Sequence, residues 1–225
     1  MTGFECGFCG RSFRSENTLA AHTCALKRRH RDRDSVSSRM ALGLYQRFFE
    51  LNSAGRKPKT FEEFAGSRYY QGFIKLARHL QDLRPIDQDR FVDWLFQSGI
   101  KERGWCQDRT YEKYIVDLLL KETTDRALER SIETMAAWAD ENGRDYREFF
   151  REVTPSQATH LIRYGRISPW VLYMADSSDG LWSRLSEEQG EIIGRIIDPT
   201  AWRKRFENHA ADREYVKSLL DEAGL

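Results

Sequence analysis

Cys6 and Cys9 are separated by two residues, His22 follows after twelve more, and Cys24 follows His22 after a single residue. Thiolate and imidazole are the donors that hold zinc in tetrahedral structural sites, and a Cys-x2-Cys knuckle brings two sulfurs to one ion. Gly7 and Gly10 are placed to ease that turn. A segment of about thirty residues cannot bury enough apolar surface to fold alone, so ion binding would supply its folding energy. Zinc is therefore the expected cofactor, with Cys6, Cys9, His22 and Cys24 as its ligands.

The segment Phe4-Glu-Cys6-Gly-Phe-Cys9-Gly-Arg-Ser-Phe13-Arg-Ser-Glu-Asn-Thr-Leu19-Ala-Ala-His22 resembles the two-cysteine, two-histidine zinc finger nearly position by position. Phe13 and Leu19 fall where that family places its two core residues, and the resemblance implies a small ββα unit. Ser15 is suited to cap a helix starting at about Glu16. Leu19 and His22 then share one helical face. The fourth ligand departs from the family pattern, whose positions are held here by Leu26, Lys27 and Arg28. Cys24 would lie about 200° from His22 around a continuing helix. It reaches the ion only if the helix loosens or ends at His22. His30 is the alternative, but it stands about 12 Å further along such a helix and requires a chain reversal. A three-ligand site with an open position would permit catalysis, yet no recognisable zinc-enzyme motif supplies a general base.

Alignment to the finger family puts Ser15, Thr18 and Ala21 at the principal base-contacting positions. None offers the bidentate pairing that discriminates bases well, and one finger covers only about three base pairs. Sequence-specific reading is not expected. Phosphate contact is a different matter. Residues 1–33 contain Arg11, Arg14, Lys27, Arg28, Arg29, Arg31 and Arg33 against Glu5, Glu16 and Asp32, a net of +4 in a chain whose total is +1. Such cations give affinity without sequence information, and the affinity fades with salt. The same run also reads as a solvated hinge or a protein-docking strip.

From about Ser35 the chain reads helix after helix. Leu44, Tyr45, Phe48, Phe49 and Leu51 keep helical spacing, as do Phe73, Leu76, Ala77 and Leu80, and Tyr111, Tyr114, Ile115, Leu118 and Leu119. Further stripes run through Phe91, Trp94 and Leu95, and through Leu128, Ile132, Met135 and Trp138. Asn142-Gly143 reads as a helix end, while Thr154-Pro155, Ser168-Pro169 and Asp198-Pro199 read as starts. Asn52–Thr60 reads as a loop within the body. The expected fold is mainly α: a zinc finger with a basic extension over residues 1–34, then an all-helical domain over 35–225. Short helices of about 8–12 residues fill the second half, and their regularity leaves a solenoid-like arrangement open.

Other chemistry is scarce in this sequence. It holds no phosphate-cradling glycine motif, no His-Glu-x-x-His and no deaminase signature. Asp87 and Asp89 flank a helix start, where acids serve as caps. His79 and His160 lie in apolar helical settings, and Cys106 reads as a buried, solitary thiol. Arg163-Tyr-Gly-Arg-Ile-Ser-Pro-Trp170 reads either as a phosphate-holding helix start or as a tight corner with Trp170 in the core. Trp202-Arg-Lys-Arg-Phe206 reads as an extension of a basic surface or as an amphipathic turn with both aromatics inward. No apolar run approaches the roughly 20 residues that span a bilayer, and the first residues lack a signal peptide's apolar core.

A wider resemblance rests on Leu19-Ala-Ala-His22-Thr-Cys24 followed by Lys27-Arg28-Arg29, on Lys59-Thr-Phe-Glu-Glu-Phe64, and on Gly165-Arg-Ile-Ser-Pro-Trp-Val-Leu-Tyr173. Through them the chain is similar to a family of zinc-finger proteins of tailed bacteriophages. That resemblance implies the cytoplasm of an infected bacterial host as the setting and carries no mechanism. The expectation is a non-catalytic accessory protein of phage DNA replication, recombination or transcription that binds nucleic acid, DNA ahead of RNA, through phosphates. The alternative is an adaptor docking on a phage or host polymerase complex. Neither a membrane nor a small-molecule substrate is expected as partner.

Overall fold

The computed structural model describes residues 3–52 and 57–225. Part of the expected loop over 52–60, at positions 53–56, lies outside them. Among the described residues there are fifteen α-helices and one two-stranded sheet, so the chain is mainly α, with a small strand pair preceding a helical body. It divides into two compact units, Met1–Cys106 and Gln107–Leu225.

The first unit opens with β1 (Phe4–Glu5), β2 (Ser12–Phe13), α1 (Glu16–Ala21) and α2 (Ala25–Arg31). Four longer or better-capped helices follow: α3 (Val36–Asn52), α4 (Phe61–Gly66), α5 (Tyr70–Leu83) and α6 (Gln88–Gln97). The stripe of Leu44, Tyr45 and Phe48 lays α3 along α5 and α6. Rings do most of the filling. Phe73 is fully buried and lies 5.0 Å from Trp105 and 5.5 Å from Tyr45 between centroids. Edge-to-face pairs of this kind add to the area they bury. The Lys59-to-Phe64 segment forms a reciprocal cap: Glu63 N–H donates to Thr60 Oγ1 (3.2 Å), and Thr60 N–H donates to Glu63 Oε2 (2.8 Å). Asp87 caps α6 by accepting from Arg90 N–H at 3.2 Å, the capping role expected of it.

Cys106 is exposed, against the sequence expectation of burial. Its neighbour Trp105 turns inward instead, held by an indole N–H donated to Ile100 O at 2.9 Å, which leaves the thiol on the outside. Desolvation by the surrounding chain still raises the thiol pKa, with Lys75 opposing it.

The second unit contains α7 (Asp108–Lys121), α8 (Thr124–Asn142), α9 (Phe149–Glu152), α10 (Pro155–Arg163), α11 (Pro169–Met174), α12 (Asp179–Trp182), α13 (Glu187–Ile196), α14 (Pro199–Asn208) and α15 (Ala210–Glu222). Its punctuation is as read. Thr154, Ser168 and Asp198 each accept a backbone N–H just ahead of a proline, and Gly143 ends α8 at φ +63°. Several helices are shorter than expected, since α9 and α12 have four residues and α11 six. They are corner pieces whose aromatic and aliphatic side chains are buried nearly all round, so no length of amphipathic stripe announced them.

Candidate metal centre

Two residues pair on each side of the hairpin, Phe4 with Phe13 and Glu5 with Ser12. The knuckle between them is closed by Cys6 N–H to Arg11 O (2.9 Å) and Gly10 N–H to Cys6 O (2.8 Å). Only Gly10 needs glycine's freedom, at φ +70°; Gly7 does not occupy that region. Gly10→Ala is therefore expected to cost about 1 kcal/mol and to weaken metal retention. Gly7→Ala, with nothing within 4 Å of an added Cβ, is expected to be neutral. Thermal unfolding and a chelator competition on the two variants check the contrast.

Ser15 caps α1 by accepting from Thr18 N–H at 3.3 Å, so the helix starts at Glu16 as read. It stops after one and a half turns. His22 has φ −68° and ψ 124°, outside the helical region, and Phe13 packs on its ring at 4.6 Å. The chain then runs extended through Cys24 (φ −96°, ψ 167°), and a new helix begins at Ala25. This break removes the obstacle to Cys24. The 200° separation held only for a continuous helix, and here the Cys24 sulfur both faces the cluster and caps α2 by accepting Lys27 N–H at 3.4 Å. Lys27 closes the end of the preceding helix as well, donating from Nζ to His22 O at 3.2 Å.

The ligand atoms of Cys6, Cys9, His22 and Cys24 all lie within 4.8 Å of one another, so the four residues could hold one metal ion. Cys9 Sγ is 3.3 Å from His22 Nε2, which places that nitrogen on the thiol side of the ring. A tetrahedral ion with bonds of about 2.3 Å to sulfur and 2.0 Å to nitrogen sets neighbouring donors roughly 3.5–3.8 Å apart. The Cys9–His22 separation is close to that spacing. Backbone hydrogen bonds from Phe8 and then Cys9 hold the Cys6 thiol below the ordinary thiol value. At Cys9 the backbone of Arg11 also pulls the pKa down, but desolvation and the adjacent Cys6 and Cys24 sulfurs outweigh it and leave the pKa raised. A bound cation would favour the thiolate form of its sulfur ligands, so metal binding and proton release are coupled.

Little else holds the segment together. Cys6 is its one buried residue among those described; Phe13 and Leu19 are half-buried. His30, the alternative ligand, is committed elsewhere: its ring lies 5.0 Å from Phe8 and 5.2 Å from Phe61. Through it α2 leans on α4, and the module is attached to the rest of the first unit.

The seven expected phosphate-binding cations part company. Arg29 turns inward, stacked 4.3 Å over Tyr70 and donating to Ala65 O. Arg33 lies 5.1 Å over Phe61 and near Asp34. Lys27 caps α1, as described. Arg11 rests over Phe13 at 5.6 Å, and Arg31 pairs with Asp32 at 3.3 Å, both exposed. Arg14 and Arg28 are exposed and make no ion pair among the described residues. Sequence reasoning missed Arg78, which α5 brings to the same cavity as Arg28 and Arg29. Fifty residues of separation gave no signal for it.

The other flagged segments are structural. Arg163 pairs with Glu112 at 2.6 Å, and Trp170 is fully buried, so the corner reading describes that stretch. Trp202 and Phe206 are buried and Arg205 lies over the Trp202 ring at 5.5 Å, which is the amphipathic reading of the second segment. A cavity of about 420 Å³ between α3 and α6 is flanked by Arg47, whose guanidinium grips Asp93 at 2.7 and 2.6 Å. Arg47 and Asp93 satisfy each other. No helix among the described residues is long and apolar enough to cross a membrane. Comparison with protein-family models, with curated proteins and with solved structures finds no match to this chain.

Proposed function

We propose that the chain is a zinc-finger accessory protein that binds nucleic acid, DNA in the first place, through phosphate contacts and without catalysis. Three sulfurs and one imidazole nitrogen form the donor set of a closed structural zinc site, with no open position for a substrate. Zinc would be held by Cys6, Cys9, His22 and Cys24 and would supply the folding energy that the exposed finger core lacks. The observation that carries the nucleic-acid reading is the set of outward cations on this small module. Arg14 and Arg28 have no acidic partner among the described residues, and Arg31 has only an exposed pair of little strength. Such a surface suits phosphate and reads no bases. The resemblance to phage zinc-finger proteins supports a role in phage DNA replication, recombination or transcription in the host cytoplasm.

Arg28 and Arg31 are the residues to neutralise, because Arg29 is part of the packing. Binding of the zinc-loaded protein to a generic duplex is expected to weaken by orders of magnitude between about 50 and 200 mM salt. Arg28→Gln with Arg31→Gln is expected to lower the salt slope by about 2. Fluorescence anisotropy measures both, and no binding at low salt overturns the reading. A second reading, an adaptor for a polymerase complex, draws on the commitment of Lys27 and Arg29 to the chain's own carbonyls, which leaves fewer cations for phosphate. It would take over in that event.

A further inference from the structure

Phe8 stands between two metal ligands and is 43% exposed. At the tip of the knuckle the ring offers a flat apolar face to solvent. One face is backed by His30 at 5.0 Å, which is itself braced edge-on by Phe61 at 5.2 Å, so the ring is held rather than free. Beside it opens a cleft of about 370 Å³, lined by Phe8, Thr23, Lys27, Arg28, His30 and Arg31. Rings form its apolar wall, and three cations stand around it.

Arg28 also lines a second cavity, of about 270 Å³, together with Arg29, Arg78 and the serines at positions 35, 37 and 38 where α3 begins. The side chains of Arg28 and Arg78 make no hydrogen bond or ion pair among the described residues, and the buried Arg29 Nε has no acceptor there. Ser35 caps α3 by accepting Ser38 N–H at 3.2 Å, so the positive end of a 17-residue helix adjoins the three guanidiniums. Asp32 is the one acid on the wall among the described residues, and Arg31 already engages it. The two cavities therefore differ in chemistry and share one side chain. A flat ring matches the first, and an anion the second.

We propose that these adjoining cavities hold an unpaired nucleotide of a single strand: the base stacks on Phe8, and a flanking phosphate enters the Arg28–Arg29–Arg78 cavity. This rests on the nucleic-acid reading above and narrows it. Bases inside a duplex are stacked on one another and cannot offer a face to Phe8, whereas every unpaired base can, whatever its identity.

Fluorescein-labelled oligothymidylate of about 12 nucleotides, within the span such proteins cover, and a duplex of equal length are the probes. The zinc-loaded full chain is expected to bind the single strand about ten-fold or more tightly than the duplex. Phe8→Ala is expected to lose about ten-fold on the single strand alone. Arg78→Gln is expected to weaken single-strand binding and to lower its salt slope by about 1. Should Phe8→Ala release the metal, Phe8→Trp and Phe8→Leu decide: tight binding by the first and weak binding by the second supports the inference, and equal binding overturns it. Equal affinity for single strand and duplex, unmoved by Phe8→Ala, overturns the inference and leaves phosphate binding standing. No binding to either probe removes the nucleic-acid reading itself. Oligouridylate run alongside tells an RNA strand from a DNA strand by which of the two is held more tightly.

Discussion

Cys6→Ser is expected to release the metal and to disorder the segment from the hairpin through α1. The reason is the near absence of any other core. Phe13 and Leu19 remain half-exposed, the hairpin has two residue pairs, and α1 has six residues, too few to be stable alone. Structural zinc contributes roughly 10–16 kcal/mol to the folding of finger peptides, far more than this module's packing could replace. Cys6 is also the most deeply placed ligand and receives the knuckle's backbone hydrogen bonds, so a hydroxyl there loses both a donor to the ion and a large sulfur from the interior. The helices from α3 onward have their own aromatic core and are expected to stay folded. Metal content by mass spectrometry and amide hydrogen exchange read the two halves of this outcome separately. A variant that keeps one equivalent of zinc, or an N-terminal segment protected as before, would contradict the site. The comparison of Cys24→Ser with His30→Ala adds a second discrimination: the first is expected to weaken retention strongly, the second to leave the ion in place and to loosen α2 from α4.

In the second unit the largest effect is expected from parting Glu122 and Arg130. The Glu122 side chain is 2% exposed and that of Arg130 13%. The guanidinium meets the carboxylate through two hydrogen bonds, one of them 2.8 Å, and sends its third N–H to Gly165 O at 2.7 Å. Ser168 adds a hydroxyl donated to Glu122 Oε1 at 3.1 Å, while its own N–H goes to Ser131 Oγ at 2.9 Å. One ion pair thus ties the end of α7 and the middle of α8 to the corner that starts α11. Removing a single partner leaves a buried charge uncompensated, which costs about 3–5 kcal/mol. Arg130→Met is therefore expected to destabilise the chain by that amount in a denaturant titration of the second unit's transition. Replacing both, with Glu122→Leu added, is expected to recover a large part of the loss, because the desolvation penalty leaves with the pair. Equal losses in single and double variants would show that packing at the corner, not the charge pair, holds it.

How much of this was legible beforehand follows from the range over which each interaction acts. Ligand spacing, the Ser15 cap, the proline-marked starts at Pro155, Pro169 and Pro199, and the glycine stop at Gly143 are all decided within a few residues. Each could be read directly, and each is present. Helical periodicity is local in the same sense, which is why a mainly α body was readable from the stripes on α3, α5, α7 and α8. What residue order left open was decided by where elements stop and by contacts between segments. Cys24 joins the ligand cluster because α1 stops at His22. Arg29 turns from solvent because Tyr70 and Ala65 meet it, and Arg78 comes to line the same cavity because α5 carries it there. Cys106 faces outward because Trp105 takes the inward place. A charged side chain reads the same in a sequence whether it faces solvent or a neighbouring ring. Only the packing of helices far apart in the chain determines which environment it has.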